Sequence, residues 1–233
     1  MRGCQVANGF GPLNLSEEPK FGKSMKLYDC STAPSPRRVR MFLAEKGITV
    51  PTVQVDLRHG EQFTPAFRAI NPDCTVPVLE LDNGTIIPDA IAICRYFEEL
   101  YPYPPLMGRI PAEKAVIESW ERRIERDGLH AVMEAFRNST PGLKGRALPG
   151  PENYEQIVAL GERGRTRIQY FFTCLDAQLA NNEFVCGQKF SIADITAIIA
   201  VDFSGWVKVK PTEVMAHLRR WHTAMSARPS AKA

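Results

Sequence analysis

The chain has little that would set it apart from an ordinary globular protein, and each lack excludes something. No two of its six cysteines (Cys4, Cys30, Cys74, Cys94, Cys174 and Cys186) form a C-x-x-C pair, and none shares metal-site spacing with a histidine. Zinc motifs and local dithiol motifs are therefore absent, and no metal is expected. The four histidines, His59, His130, His217 and His222, show no mutual spacing that suggests a metal site or a triad. No secretory apolar region is present, so scattered cysteines read as reduced thiols and the expected location is cytoplasmic. No apolar run approaches the roughly 18 residues that span a bilayer. The longest candidate, Ile192 to Val201, is short and interrupted by Asp194. Net charge is only +3 on 233 residues. Arg37, Arg38 and Arg40 cluster, as do Arg122, Arg123 and Arg126, but acidic residues follow each group. The continuous basic surface of a nucleic-acid binder is missing, and neither nucleic acid nor membrane is expected as a partner.

What is present divides the chain. Residues 1–24 are rich in Gly, Pro and polar residues without periodicity, and read as a disordered leader or extension ahead of Met25. Met25 to Asp29 reads as a strand, CSTAPSP as a turn, and Arg37 to Lys46 as a helix opened by Pro36 and closed by Gly47. Val50 to Asp56 is a second strand, and His59 to Ala69 a short helical or irregular piece. Val76 to Leu81 and Thr85 to Ile87 form a hairpin about Asp82-Asn83-Gly84. Ala90, Ile93, Cys94, Phe97 and Leu100 share one face of a helix over Asp89 to Leu100. The order β-α-β-α-β-β-α builds a small mixed sheet covered by helices. Tyr101 to Pro111, with four prolines, cannot extend the last helix. Thereafter only helical patterns follow: Ala112 to Arg137, a Gly/Pro loop to Pro151, then Glu152 to Leu179, Ser191 to Trp206 and Thr212 to Met225. Residues 25–105 thus form an α/β domain, 106–111 a linker, and 112–233 an all-α domain.

Three motifs then carry a family resemblance. Ala33-Pro34 is followed by Arg38-Val39-Arg40 and FLAEKGI. Ile70-Asn71-Pro72 is followed by Val76-Pro77-Val78-Leu79 and, twelve residues after Pro77, by Asp89-Ala90. Phe190-Ser191-Ile192-Ala193-Asp194 lies in the helical half. In this order and spacing the chain resembles the cytosolic glutathione S-transferase superfamily over residues 25–228. It looks bacterial in type and closest to the serine-type classes, with Ala33 at the usual serine position. The resemblance implies a thioredoxin-like glutathione-binding domain followed by a helical-bundle domain, with glutathione as co-substrate and a hydrophobic electrophile as acceptor. It also implies a homodimer and a role in detoxification. Peroxide or disulfide reduction and dehalogenation remain open beside conjugation.

Each motif has its own chemistry. Glutathione, a thin anionic peptide, needs a strand-like edge for its cysteinyl unit, and the family places a cis Val76-Pro77 bond there. Its γ-glutamyl carboxylate suits a helix start, here Asp89-Ala90, where Ala90 lacks the family's usual hydroxyl. Asp89 also suits a plain N-cap. The family's glycyl contact falls on Gln62, and Thr75 stands where Lys or Gln is common. Its thiol, near pKa 8.5 when free, needs about 2.7 kcal/mol of thiolate stabilisation to fall two units. A hydroxyl at the first helix's N-terminus is the expected source. Ala33 has none, which leaves Ser31, Thr32 and Ser35, the last aligned with the cysteine-type position, as alternative donors. Cys30 is a lesser candidate, more simply a buried thiol. Arg122, Arg123, Arg126 and His130 could face an acceptor cleft but suit a solvated face. Ser191 and Asp194 read as a structural capping box with Phe190 as its staple. The two alanines keep a second function open: a non-catalytic glutathione-binding or protein-interaction module.

Overall fold

The computed structural model describes residues 25–233, so the reading of residues 1–24 lies outside the described residues. β1 (Lys26–Asp29) leads through a tight turn into α1 (Pro34–Lys46), and β2 (Thr52–Gln54) follows. A single turn of 3-10 helix (Glu61–Phe63) precedes α2 (Pro65–Ile70). β3 (Val78–Glu80), β4 (Ile86–Ile87) and α3 (Ala90–Leu100) complete the α/β half. The four strands run in the order β2-β1-β3-β4. β1 pairs parallel with β2, with Asp29 opposite Gln54, and antiparallel with β3, with Tyr28 opposite Val78. β4 returns antiparallel to β3, with Ile87 opposite Leu79. The hairpin turn closes where expected, and Gly84 takes φ 82°, a left-handed conformation that glycine adopts without steric cost.

α1 begins two residues earlier than the sequence suggests. Pro34, not Pro36, is its first residue, because proline's fixed φ and missing N–H suit that position. Gly47, at φ 66°, closes the helix, and its N–H donates to the carbonyls of Ala44 and Leu43. The proline-rich stretch after α3 is pinned. Lys46 Nζ donates to Tyr101 O (2.6 Å) and Pro104 O (2.7 Å) and pairs with Glu98 at 2.5 Å. Glu98 also accepts from Met107 N–H at 2.8 Å.

The helical half contains α4 (Pro111–Ile124), α5 (His130–Ser139), α6 (Val158–Leu179), α7 (Ile192–Ser204) and α8 (Ala216–Ser226). The single long helix expected over 112–137 is interrupted by a π-helical segment (Glu125–Leu129). Gly128 lies there hard against Phe171, and a Cβ on it would come within 2.8 Å of the ring. α6 starts at Val158, six residues later than expected. Residues 152–157 instead pair Tyr154 with Arg146 and send Gln156 Nε2 to the carbonyls of Arg137 and Thr140. α8 likewise starts at Ala216 and not Thr212. α7 is buried on nearly every face, and the core runs through it from Phe42 and Phe97 of the α/β half to Phe172 and Trp221. Among the described residues no helix is long and apolar enough to cross a membrane.

Candidate functional site

The strand registers gather four segments at one end of the sheet. β1 ends at Asp29 beside the start of β3 and the end of β2, so the turn 30–33, the Val76-Pro77 bond and the chain leading to Gln62 leave the sheet together. β4 runs toward the same end and delivers Asp89 to the start of α3. These are the segments that carry the expected glutathione contacts, and topology alone brings them together.

Charge and hydrogen bonding fix the turn before α1. Arg40 Nη1 donates to Asp29 Oδ1 (2.5 Å) and to Cys30 O, while its Nη2 reaches Ser31 O at 2.9 Å. Gln54 donates to Asp29 at 2.8 Å and accepts from Ser31 N–H at 2.9 Å. Ala33 is the N-cap residue, in extended conformation with no side-chain cap. Its N–H donates to Cys30 O and its carbonyl accepts from Arg37 N–H. Pro34 and Pro36 have no N–H to offer. Ser35 therefore holds the free backbone donor of this first turn, and its half-buried hydroxyl has no partner among the described residues. Ser31 and Thr32 are exposed, and the Thr32 hydroxyl lies 3.5 Å from the buried Cys30 sulfur.

The Val76-Pro77 peptide bond is cis, as the resemblance implies. The loop before it is braced by Asn71, only 1% exposed, whose Nδ2 donates to Thr75 O (2.9 Å) and Thr75 Oγ1 (3.1 Å). Asp89 caps α3, with Oδ1 accepting from Ile91 N–H (2.9 Å) and Ala92 N–H (2.8 Å). Ala90 beside it is buried. Gln62 sits in the 3-10 turn, and its Oε1 is buried without a partner among the described residues.

A family pattern described as "Glutathione S-transferase, N-terminal domain" matches residues 32–100, and one described as "Glutathione S-transferase, C-terminal domain" matches residues 149–229. Glutathione S-transferase 2 of Saccharomyces cerevisiae is 39% identical over 228 residues, covering 97% of this chain and 95% of that protein. The chain belongs to the glutathione S-transferase family. Among solved structures, Gtt2 from Saccharomyces cerevisiae superposes with a TM-score of 0.82 at 38% identity, over 89% of this chain and 98% of that one. A glutathione S-transferase domain-containing protein from Marinobacter aquaeolei VT8 gives the same TM-score at 40% identity, over 88% of this chain and 98% of that one.

In this glutathione S-transferase the helical half grips α1 along its length. Arg37 donates to Asp202 on α7 at 2.6 Å and to Ala231 O at 3.0 Å, and His222 on α8 lies 2.7 Å from the same carboxylate. Burial alone would raise the Asp202 pKa, but the hydrogen bonds from His222 and Arg37 outweigh it and hold the carboxyl below its usual range. Arg38 lies 3.6 Å from Glu121 and 3.2 Å from Glu125, and Thr196 Oγ1 donates to Glu121 at 2.7 Å. Burial pushes Glu121 up to about 7. At the far end of α1, Arg228 donates to Glu45 at 2.8 and 2.7 Å. Of the cleft candidates, Arg122 pairs with Glu118 and Glu125, Arg126 pairs with Asp127, and both are exposed, as a solvated face requires. His130 is exposed as well. Asp194 holds Ser191 N–H at 3.1 Å in a capping box, a structural role as expected. Phe190 packs edge-on against Phe184, 5.9 Å between centroids, and beneath Arg228, 4.0 Å from its ring. The sequence reading missed Arg146, in the loop between α5 and α6, whose guanidinium lies 4.1 Å over the Phe63 ring, next to Gln62. A cation–π contact between residues so distant in sequence leaves no local pattern to find.

Proposed function

We propose that this transferase holds glutathione as an added strand along Val76-Pro77. The γ-glutamyl carboxylate would lie at the Asp89-Ala90 helix start, the glycyl end at Gln62 and Thr75, and the thiol at the first turn of α1. Ser35 is our choice of thiolate donor over Thr32 and Ser31. One observation carries this choice: Ser35 offers a free N–H and an unengaged hydroxyl at a helix N-terminus whose neighbours are two prolines. An anion there meets two donors and the positive end of the helix dipole. The thiol proton leaves to solvent, the sulfur lone pair forms the bond to the acceptor's electrophilic carbon, and the leaving group departs with its electron pair.

The acceptor in this reading is a hydrophobic electrophile. Its apolar wall would be Phe136 of α5 with Phe203 and Trp206, rings 5.0 to 5.4 Å apart, the last two following closely on Asp202, the anchor of the first turn of α1. The domain division at 25–105, 106–111 and 112–233, a homodimer, a cytoplasmic location and a detoxifying role belong to the same proposal. Exposed Val116 and Tyr170 on the long helices offer apolar surface for the dimer, and the free thiols of Cys30, Cys74, Cys94, Cys174 and Cys186 suit a reducing compartment.

The test is the conjugation rate with an aromatic electrophile as a function of pH. A charge-assisted hydrogen bond contributes about 1.5–3 kcal/mol, so Ser35→Ala should move the acid limb of the profile up by about one to two units. Thr32→Ala and Ser31→Ala should leave it in place. A profile unmoved in Ser35→Ala and shifted in Thr32→Ala would replace the donor we name.

A further inference from the structure

The loop between α5 and α6 does more than connect two helices. Its base is tied down by Gln156 Nε2, which donates to Arg137 O (2.7 Å) and Thr140 O (2.8 Å), and by Ile157 N–H, which donates to Asn138 Oδ1 at 2.9 Å. Arg137 Nη1 in turn donates to Arg146 O at 2.7 Å. Arg146 spreads its guanidinium between Asn153 Oδ1 and Gly150 O, 2.7 Å from each, and lays it over Phe63. The loop then passes so near the α/β half that a Cβ on Gly150 would lie 3.8 Å from Asp73 O. It therefore touches the Gln62–Phe63 turn and runs close beside the Asp73–Thr75 loop that leads into Val76, both segments that the proposed site uses. The Gln62 turn is tied to its own half through Glu61, whose N–H donates to Asp56 O (3.0 Å) and whose Oε2 accepts from Asp56 N–H (2.6 Å), but these bonds leave the Gln62 side chain unheld. The segment is one turn of 3-10 helix, and the Gln62 Oε1 is enclosed but accepts from nothing among the described residues. An enclosed amide oxygen without a donor fits a ligand that brings an N–H, as the glycyl peptide bond of glutathione does.

We propose that Arg146 is a positioning residue for glutathione: through Phe63 it fixes the Gln62 amide against the glycyl end of the tripeptide. The helical half thereby completes the glutathione site as well as supplying an acceptor wall. This rests on the placement of glutathione given above. Arg146 touches no reacting atom, so its loss should act on binding and not on chemistry. Lysine is a poor substitute, because it keeps the charge but neither the flat stack nor the two-pronged hydrogen bonding.

The experiment is steady-state kinetics of wild type, Arg146→Ala, Arg146→Lys and Phe63→Leu with glutathione and with γ-glutamylcysteine, which lacks the glycyl residue. Thermal melts accompany the kinetics. With glutathione, Arg146→Ala and Phe63→Leu should raise KM about fivefold and leave kcat within about twofold. With γ-glutamylcysteine they should change KM little, because the contact they disturb is already missing. Arg146→Lys should resemble Arg146→Ala. Phe63→Leu leaves the loop's own hydrogen bonds intact and decides the matter if Arg146→Ala does not fold. Equal KM increases with both thiols, an unchanged KM in Phe63→Leu, or full rescue by lysine would each overturn the assignment. Failure of the wild type to use either thiol would instead sink the function itself.

Discussion

Replacing Glu121 by glutamine removes a buried charge while keeping the shape and one hydrogen bond of the site. Glu121 is fully enclosed. Its Oε1 accepts from Thr196 at 2.7 Å, and its Oε2 has no hydrogen-bond partner among the described residues. Burial raises its pKa from 4.5 to about 7, against the pull of Arg38 and the hydrogen bond from Thr196. The folded protein therefore binds this proton more tightly than the unfolded chain does. The associated stability is fully present below about 4.5 and is lost as pH rises through about 7. At 1.36 kcal/mol per unit the full shift corresponds to about 3 kcal/mol. Glutamine cannot ionise, so Glu121→Gln should be more stable than wild type by about 1–3 kcal/mol at pH 8 and equal to it near pH 4. Arg38 keeps a partner in Glu125 at 3.2 Å, so the change leaves it paired. Urea titrations at several pH values, read as midpoint and slope, measure this directly. A variant less stable than wild type at pH 8 by more than about 1 kcal/mol would show that the Arg38–Glu121 pair is a net stabiliser, and the reasoning would fail.

Asp194→Ala should cost about 3–5 kcal/mol, because Val185 N–H, Ser191 N–H and Trp221 Nε1–H all donate to that buried carboxylate. A urea midpoint near the wild-type value would contradict the structural reading of the capping box. Gly164→Ala should destabilise by about 1–3 kcal/mol, although alanine favours helix by about 1 kcal/mol. Its Cβ would meet Ala135 N at 2.6 Å and Ala131 O at 2.8 Å, which are backbone atoms that cannot step aside. A rise in melting temperature would mean that α5 and α6 pack less closely than described.

The fold was legible because its strongest local cues agree with its tertiary contacts. The Asp82-Asn83-Gly84 turn, the Gly47 stop and the capping box at Ser191 each act within a few residues, and each lies where the pattern places it. Helix starts were less legible. Two prolines at 34 and 36 both suit a first position, and only the Ala33 carbonyl, which accepts from Arg37, shows that Pro34 holds it. Residues 152–157 continue a helical pattern, yet Tyr154 N–H donates to Gly145 O and Gln156 to the carbonyls of Arg137 and Thr140 at the end of α5. The site divides the same way. Its backbone parts follow from spacing and register. The proposed choice of Ser35 over Ser31 and Thr32 rests on which hydroxyl and which N–H are already engaged, and that is a matter of three-dimensional bonding with no local pattern. Arg146 was invisible because its partner lies in the other half of the chain.

The central claim is that glutathione binds at the first turn of α1 and is held there as thiolate. Ultraviolet thiolate absorbance of glutathione bound to the wild-type protein, titrated against pH, tests this most directly. The account predicts a bound thiol titrating at least about one unit below the free value of roughly 8.5. A bound thiol that titrates no earlier than free glutathione would contradict it and would leave the chain a glutathione-binding module without the chemistry.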